Sequence, residues 1–282
     1  MGGRWRAGRA SALDLVSYAL LCAIVAFALF PFVWTLVTSL KPDAEILSRP
    51  ISYLPRQPSA ANYVEVFGRT DFPRMFLNSA IVGVFTVALS LVLASLAGYS
   101  LARYRFRGHD GIMLAFLVTQ MFPVVLLLVP LFLTLQALSL IDTYVGVVVA
   151  ETAFVLPLCV WMLKGFFEAV PPELEDAARI DGCTRLGALV RVVLPLARPG
   201  LFATAIFAAI DSWNALLVPL MFTSSDATRT WPVGLQSFIG EFQMRWGVLS
   251  AAGVISIVPL VVFFALIQRN LVRGLMSGAT KG

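Results

Sequence analysis

Charge is what this chain has little of. Only 13% of its 282 residues are Asp, Glu, Lys or Arg, while 59% are hydrophobic. Soluble domains carry about 25% charged residues, so a water-exposed globular fold is excluded and a bilayer is the fitting solvent. Histidine occurs once, at His109, with no Cys or His beside it; it reads as a solvated loop residue, and no Ser-His-Asp or carboxylate-histidine constellation can be built around it. The three cysteines, Cys22, Cys159 and Cys183, are widely spaced and form no CxxC pair. That excludes a zinc site and a disulfide framework, so no metal is expected. No GxxxxGK[ST] phosphate loop is present, and the chain by itself should hydrolyse nothing. No basic run is interleaved with aromatics, so nucleic acid is not an expected partner.

What is present is long apolar runs. A spanning helix needs about 20 mostly apolar residues, and six runs qualify: 15–37, 76–101, 112–135, 144–163, 201–222 and 248–267. Arg4, Arg6 and Arg9 precede the first run, as they would in a signal peptide. The run exceeds the usual apolar core of about 7–15 residues and no small-residue cleavage site follows it, so it reads as a retained span. Cytoplasmic loops collect Lys and Arg. With the N-terminus inside, 14 of the 21 basic residues fall in cytoplasmic segments 1–14, 102–111, 164–200 and 268–282. Both termini are therefore expected in the cytoplasm. Loop 38–75 runs against the bias, with Lys41, Arg49, Arg56, Arg69 and Arg74 outside, but it is the longest loop, where the rule is weakest.

The longest cytoplasmic loop, 164–200, carries a polar stretch unlike its surroundings. Pro171 and Pro172 stop the preceding chain, and proline suits a helix's first position. Glu173, Glu175 and Asp176 then fall in a first turn, where the helix dipole favours acids. Gly182 is placed as a left-handed C-cap, and Thr184 as the N-cap of a second helix. There Leu186, Leu189, Val190, Val193 and Leu194 repeat at helical spacing, and Pro195 ends the pattern. Two short amphipathic helices with a glycine corner are predicted. Two readings fit: a helix pair lying on the lipid surface, or a bracket presenting the small-residue knuckle Ala177 to Gly182 to a soluble partner.

Polar residues within spans are costly and so are candidates for function. Glu151 and Asp211 stand out, with Ser212 and Asn214 beside the latter. They either line a polar path for a sugar or bond to a neighbouring helix or a partner subunit. Asn78 and Gln120 read as interhelical hydrogen-bonders. Pro123, Pro130, Pro157 and Pro259 each invite a kink. Phe122, Phe132, Phe154 and Trp161 either stack on sugar faces or face lipid and neighbouring helices. External loop 223–247, with Trp231, Gln236, Gln243 and Trp246, is long enough to touch a soluble partner, and its aromatics also suit interfacial anchors.

The loop resembles the EAA loop of membrane subunits in binding-protein-dependent ABC importers. That pattern is Glu-Ala-Ala, three residues, Gly, nine residues, Ile, one residue, Leu-Pro. Here Asp176-Ala177-Ala178 is followed by Gly182, Val192 and Leu194-Pro195; Asp176 replaces Glu and Val192 replaces Ile. Ser39-Leu40-Lys41, Leu77-Asn78-Ser79, Ala102-Arg103-Tyr104-Arg105-Phe106, Trp213-Asn214 and the tail from Gly274 to Gly282 are similar to the maltose/trehalose-type sugar permeases, and the resemblance spans nearly the whole chain. It implies an all-α membrane protein of six transmembrane helices with the type I ABC importer permease fold. It also implies one permease domain over 1–282 in the bacterial inner membrane, importing a di- or oligosaccharide.

The implied partners are a second homologous permease subunit, two ATPase subunits that bind ATP and Mg, and an extracytoplasmic solute-binding protein. The implied coupling residues are Glu175, Asp176, Ala177, Ala178, Arg179, Ile180, Asp181, Gly182, Leu194 and Pro195, with Ser277, Gly278, Lys281 and Gly282 of the tail reaching the ATPase. The binding protein would contact loop 223–247. The alternatives are a glycerol-phosphate-type ABC permease, disfavoured because the six spans contain no arginine, and an ATP-independent secondary transporter, which predicts inverted repeats.

Overall fold

The structure is a computed structural model and describes residues 12–68, 71–238 and 244–279, with side chains placed within 14–265. Every regular element among the described residues is helical. In chain order they are α1 (Ala12–Ser39), α2 (Asp43–Ile46), α3 (Ala61–Gly68), α4 (Phe72–Arg103), α5 (His109–Met121), α6 (Val124–Ala137), α7 (Tyr144–Glu168), α8 (Pro172–Ile180), α9 (Arg185–Ala188), α10 (Leu194–Leu196), α11 (Arg198–Asn214), α12 (Leu217–Phe222), α13 (Trp231–Leu235) and α14 (Trp246–Ala279). Four single helices, α1, α4, α7 and α14, are long and apolar enough to cross a membrane, and the number rises to six if two bent pairs, α5 with α6 and residues 185–196 with α11, each count as one span.

Two of the six expected spans are not straight. Run 112–135 is α5 and α6, bent by 104° at Phe122–Pro123. Pro123 has no N–H to give and pushes Phe122 out of the helical region; Phe122 sits at φ −75°, ψ 132°. Run 201–222 breaks at Ala215–Leu216, where Ala215 is extended. Pro219 lies four residues on, and its ring excludes the carbonyl of residue 215 from a helix. Pro130, Pro157 and Pro259, by contrast, sit inside continuous helices. The span expected at 144–163 continues to Glu168.

The chain packs as two compact units, one within residues 1–68 and 240–256 and the other within 69–239 and 257–282. In the first, Asn62 is buried and donates to the Ser39 and Lys41 carbonyls at 2.8 and 2.9 Å, while the Ser39 hydroxyl meets that of Tyr63 at 2.7 Å. Lys41 lies 5.2 Å over the Trp34 ring. Arg245 forks onto both oxygens of Glu65, and Asp43 accepts from the Gly247 N–H at the start of α14. Apolar side chains along α1, including Phe27 and Phe30, are exposed, as a lipid-facing helix requires.

The second unit is organised by α4 against α7 and α11. Asn78, Val82, Thr86, Ser90, Ala94 and Gly98 recur every four residues along α4 and are all buried. Small residues on one stripe let helix backbones approach. A Cβ at Gly98 would lie 3.2 Å from the Val160 carbonyl oxygen. One apolar core gathers Ala94, Tyr99, Cys159, Leu163, Phe167, Leu189, Val193 and Ala208; another gathers Val82, Leu128, Leu135, Val147, Val218 and Phe222.

At the second core's end, loop 223–230 is held from two sides. Asn78 donates to the Ala227 and Arg229 carbonyls at 3.1 and 2.8 Å and accepts from the Tyr144 hydroxyl at 2.7 Å. Ser79 accepts from the Trp231 N–H at 2.8 Å. Asp142 accepts from the Ser224 and Ser225 N–H groups at 3.0 and 3.1 Å and from the Thr228 hydroxyl. Trp231 is buried edge-on to Phe72 and Phe76, so it is a core residue and not a contact surface, whereas Trp246 is exposed. Gln243 lies outside the described residues. His109 is also buried, not solvated. One ring nitrogen lies 2.8 Å from the Leu101 carbonyl near the end of α4 and the other 2.7 Å from Asp110.

The Thr228 hydroxyl and the two backbone N–H groups hold the Asp142 carboxyl well below the usual carboxylate range. A depressed folded-state pKa contributes stability that is full above the unfolded value, about 3.9, and is lost as pH falls through the folded one. Proteolytic protection of loop 223–230 should therefore weaken below about pH 4. Asp142→Ala should lower stability at neutral pH by about 1–3 kcal/mol, since it strands three donors, and should flatten that acid dependence. Thermal unfolding in detergent across pH 2–7 checks both.

Candidate functional site

The loop between α7 and α11 folds as its sequence dictates. Pro172 opens α8 at its first turn. Gly182 closes it at φ 90°, with its N–H on the Arg179 carbonyl at 3.1 Å and the Cys183 N–H on the Ala178 carbonyl at 2.9 Å. That paired closure is the Schellman motif, which needs a left-handed residue. Thr184 then caps α9, its hydroxyl accepting from the Gly187 N–H at 3.1 Å. The chain continues through a π-helical turn, Leu189–Val193, into α10. The second helix does not end at Pro195 but runs to Leu196, and an 82° bend at Ala197 leads into α11. Leu189 and Val193 are buried, while Leu186 and Val190 are exposed, so the expected apolar stripe is split between core and surface.

The coupling residues divide by direction. Asp176, Ala177, Arg179, Ile180, Asp181 and Gly182 face outward, and Ile180 is 87% exposed. Ala178, Leu194 and Pro195 are half-buried. Glu175 points the other way and is buried. It accepts from the Tyr99 hydroxyl at 2.7 Å and from the Arg103 guanidinium, which also donates to the Val170 carbonyl at 2.8 Å. This latch ties α8 to the end of α4. Arg103 belongs to the Ala102–Phe106 stretch noted in the sequence, but nothing in the spacing announced its pairing with Glu175 across 72 residues.

Of the five in-span polar residues, four meet. Gln120, Glu151, Asp211 and Asn214 line one cavity of about 530 Å³ with Thr119, Phe122, Phe154 and Phe207. Both helix breaks, at Phe122 and at Ala215–Leu216, form part of its wall. Interrupted helices at membrane depth are tolerated where they line a cavity. Gln120 also donates to the Phe154 carbonyl at 3.0 Å, an interhelical bond as expected. Asn78 lies elsewhere, in the loop clamp. Phe132 stacks on Phe222 and Trp161 is exposed, so neither lines this cavity. Ser277 and Gly278 fall within α14; Lys281 and Gly282 lie outside the described residues. No group of His, Cys, Asp and Glu among the described residues is arranged to hold a metal.

Over residues 90–277 the sequence matches the binding-protein-dependent transport system inner membrane component family. The chain belongs to this family. Among its relatives, the sulfoquinovosyl glycerol transport system permease protein of Agrobacterium fabrum is 42% identical over 90% of this chain and 89% of its own. The trehalose transport system permease protein of Mycobacterium tuberculosis is 36% identical over 92% of this chain and 94% of its own. A crystal structure of a bacterial ABC transporter involved in importing the acidic polysaccharide alginate matches in fold, with a TM-score of 0.79 at 23% identity over 91% of this chain and 95% of that one. This inner membrane component is therefore a multi-pass bacterial transport subunit of the type I importer fold, and not itself an enzyme.

In this permease, Glu175→Ala should strand the Arg103 charge, since removing one partner of a buried pair costs about 3–5 kcal/mol. We expect a lower unfolding temperature and faster proteolysis within 172–182. The double replacement Arg103→Met with Glu175→Met should be milder than Glu175→Ala, because no charge is left unpaired. Thermal unfolding and limited proteolysis of the three proteins decide whether the latch holds α8.

Proposed function

We propose that this chain is one membrane half of an ATP-driven importer that carries a di- or oligosaccharide into the cytoplasm. The observation that supports it most is the outward knuckle Asp176–Gly182, fixed from behind by the Glu175 latch, in a chain whose relatives are named for sulfoquinovosyl glycerol and trehalose transport. A docking surface works as a lever only if it is stiff, and a short helix opened by proline, closed at Gly182 and anchored to a spanning helix is stiff.

In this reading residues 1–282 form one permease domain with both termini in the cytoplasm. A second homologous permease subunit completes the pathway. Two ATPase subunits, which hold the ATP and Mg, each receive one loop helix, and an extracytoplasmic solute-binding protein delivers the sugar. Asp176, Ala177, Arg179, Ile180, Asp181 and Gly182 make the contact, while Glu175 positions them. Ala178, Leu194 and Pro195 support the knuckle from the half-buried side. The tail residues Ser277, Gly278, Lys281 and Gly282 reach the ATPase interface. Gln120, Glu151, Asp211 and Asn214 line the path, and Asn78 holds its outer loop.

The test is copurification of the partner ATPase, in detergent, with wild-type chain and with Gly182→Ala, Gly182→Asn and Gly182→Asp. A Cβ at Gly182 meets nothing within 4 Å in this chain, so any loss reflects backbone conformation or the partner. Alanine in the left-handed region costs about 1–2 kcal/mol, which asparagine largely avoids. We expect Gly182→Asn and Gly182→Asp to lose the ATPase, and Gly182→Ala to bind more weakly than wild type. Full ATPase recovery and normal sugar uptake with Gly182→Asp would overturn the coupling role.

A further inference from the structure

We propose that the loop between α1 and α3 is a membrane-surface anchor, with Leu47, Ile51, Tyr53 and Leu54 seated in the headgroup region of the bilayer at the end of α1. The loop is built inside out. Its base is closed by the Ser59 N–H on the Leu40 carbonyl at 2.9 Å. Lys41 is 3% exposed; its ammonium donates to the Ser52 and Tyr53 carbonyls and lies over the Trp34 ring. One oxygen of Glu45 accepts from the Ser52 hydroxyl at 2.8 Å and from the Arg56 N–H at 2.9 Å. Polar groups thus hold the loop from within. The apolar side chains point away: Leu47, Ile51, Tyr53 and Leu54 are each 63–75% exposed. Grouped apolar exposure marks a contact surface, and a backbone pinned by these bonds cannot fold the four side chains inward.

Continuity with α1 decides the occupant. Phe30 stacks on Trp34 with ring centroids 6.3 Å apart, and Trp34 meets Tyr53 edge-on at the same distance. Tyr53 therefore extends the lipid-facing aromatic row of α1. Trp34 lies five residues before the last residue of α1, roughly 7–8 Å along its axis, a level where Trp and Tyr gather at a membrane's edge. A cavity of about 200 Å³ lies among Trp34, Ile46, Leu47, Ile51 and Trp246, so the protein itself does not fill the space beside these side chains. Arg49 and Arg56 are exposed next to them. Guanidinium groups suit lipid phosphates, whereas the core of a protein–protein interface is depleted of charge. A soluble partner that docks and leaves would also return four apolar side chains to water each time; a bilayer covers them throughout. The anchor gives a local role to Lys41, Arg49 and Arg56, three of the five basic residues by which loop 38–75 opposes the charge bias. It rests on the membrane location of the chain and not on its cargo.

The test places the photo-crosslinker p-benzoylphenylalanine at Tyr53 or at Leu54 of the full chain, coexpressed in bacterial membranes with its companion permease, ATPase and binding protein. Phe27, exposed on α1, is the lipid-facing reference, and Gln57, exposed beyond the apolar stretch, the water-facing one. After irradiation, mass spectrometry of the purified chain identifies what each position has captured. Phospholipid should be the main adduct at Tyr53 and Leu54, as at Phe27, and Gln57 should give little. Leu47→Asp with Ile51→Asp should cut the lipid adduct at Leu54 at least roughly tenfold, since charges replace two apolar anchors. Capture of the companion permease or the binding protein at Tyr53 and Leu54 would overturn the anchor. So would unreacted probe at both positions while Phe27 captures lipid, because the loop then lies in water. These arms need no destabilising variant. A lipid adduct at Leu54 that is unchanged by the two aspartates would overturn the proposal as well.

Discussion

Everything in the larger unit depends on how closely α4 can approach α7. A bilayer supplies no hydrophobic force between helices, so packing and hydrogen bonds must hold them. The stripe Asn78, Val82, Thr86, Ser90, Ala94 and Gly98 supplies both in one register. Its small members allow the approach, and Asn78 and Thr86 meet partners that the approach brings within reach. A large side chain at Gly98 would separate the helices at one level and weaken the contacts above and below it.

The three polar arrangements described above are stations along that one helix. At its start Asn78 and Ser79 fix the backbone of residues 227–231. In its middle Thr86 reaches Glu151 in the cavity wall. At its end Tyr99 and Arg103 hold Glu175. Polar side chains inside a span are expensive unless satisfied, and each station has a named partner. Not every polar group is satisfied: the Ser90 hydroxyl on the same stripe, one oxygen of Glu151 and the hydroxyls of Thr152, Thr204 and Thr230 are buried without a partner among the described residues.

Much of this was legible in the sequence. Four of the six apolar runs fall on single helices long and apolar enough to cross a membrane, because length and hydropathy are local properties of the sequence. Pro172, Gly182 and Thr184 gave the loop helices, because each acts through local backbone geometry. Gln120, Glu151, Asp211 and Asn214 were suspect as polar residues in apolar runs, and the fold brings them together. What was not legible depends on tertiary distance. Pro123 was seen as a kink, but its 104° consequence depends on what α6 packs against. Glu175 was grouped with the outward knuckle because sequence shows a face's polarity and not its direction. Asn78 was read as an interhelical hydrogen-bonder, and besides the Tyr144 hydroxyl it holds the backbone of loop 223–230. The stripe on α4 was present as a four-residue spacing of small and polar residues, a signal that hydropathy averages away.

The loop and the cavity are therefore linked by a physical argument stronger than mere proximity. If the proposed ATPase contact is made at Asp176–Gly182, a force applied there would reach α4 through the buried Glu175 pair with Tyr99 and Arg103. The coupling needs a load-bearing element with two discrete arrangements at its far end, and the breaks at Phe122–Pro123 and Ala215–Leu216 are where the backbone is already released from helical bonding. Rotation of α4 against α7 would move Thr86 relative to Glu151, changing how many hydroxyls the protein itself offers that carboxyl.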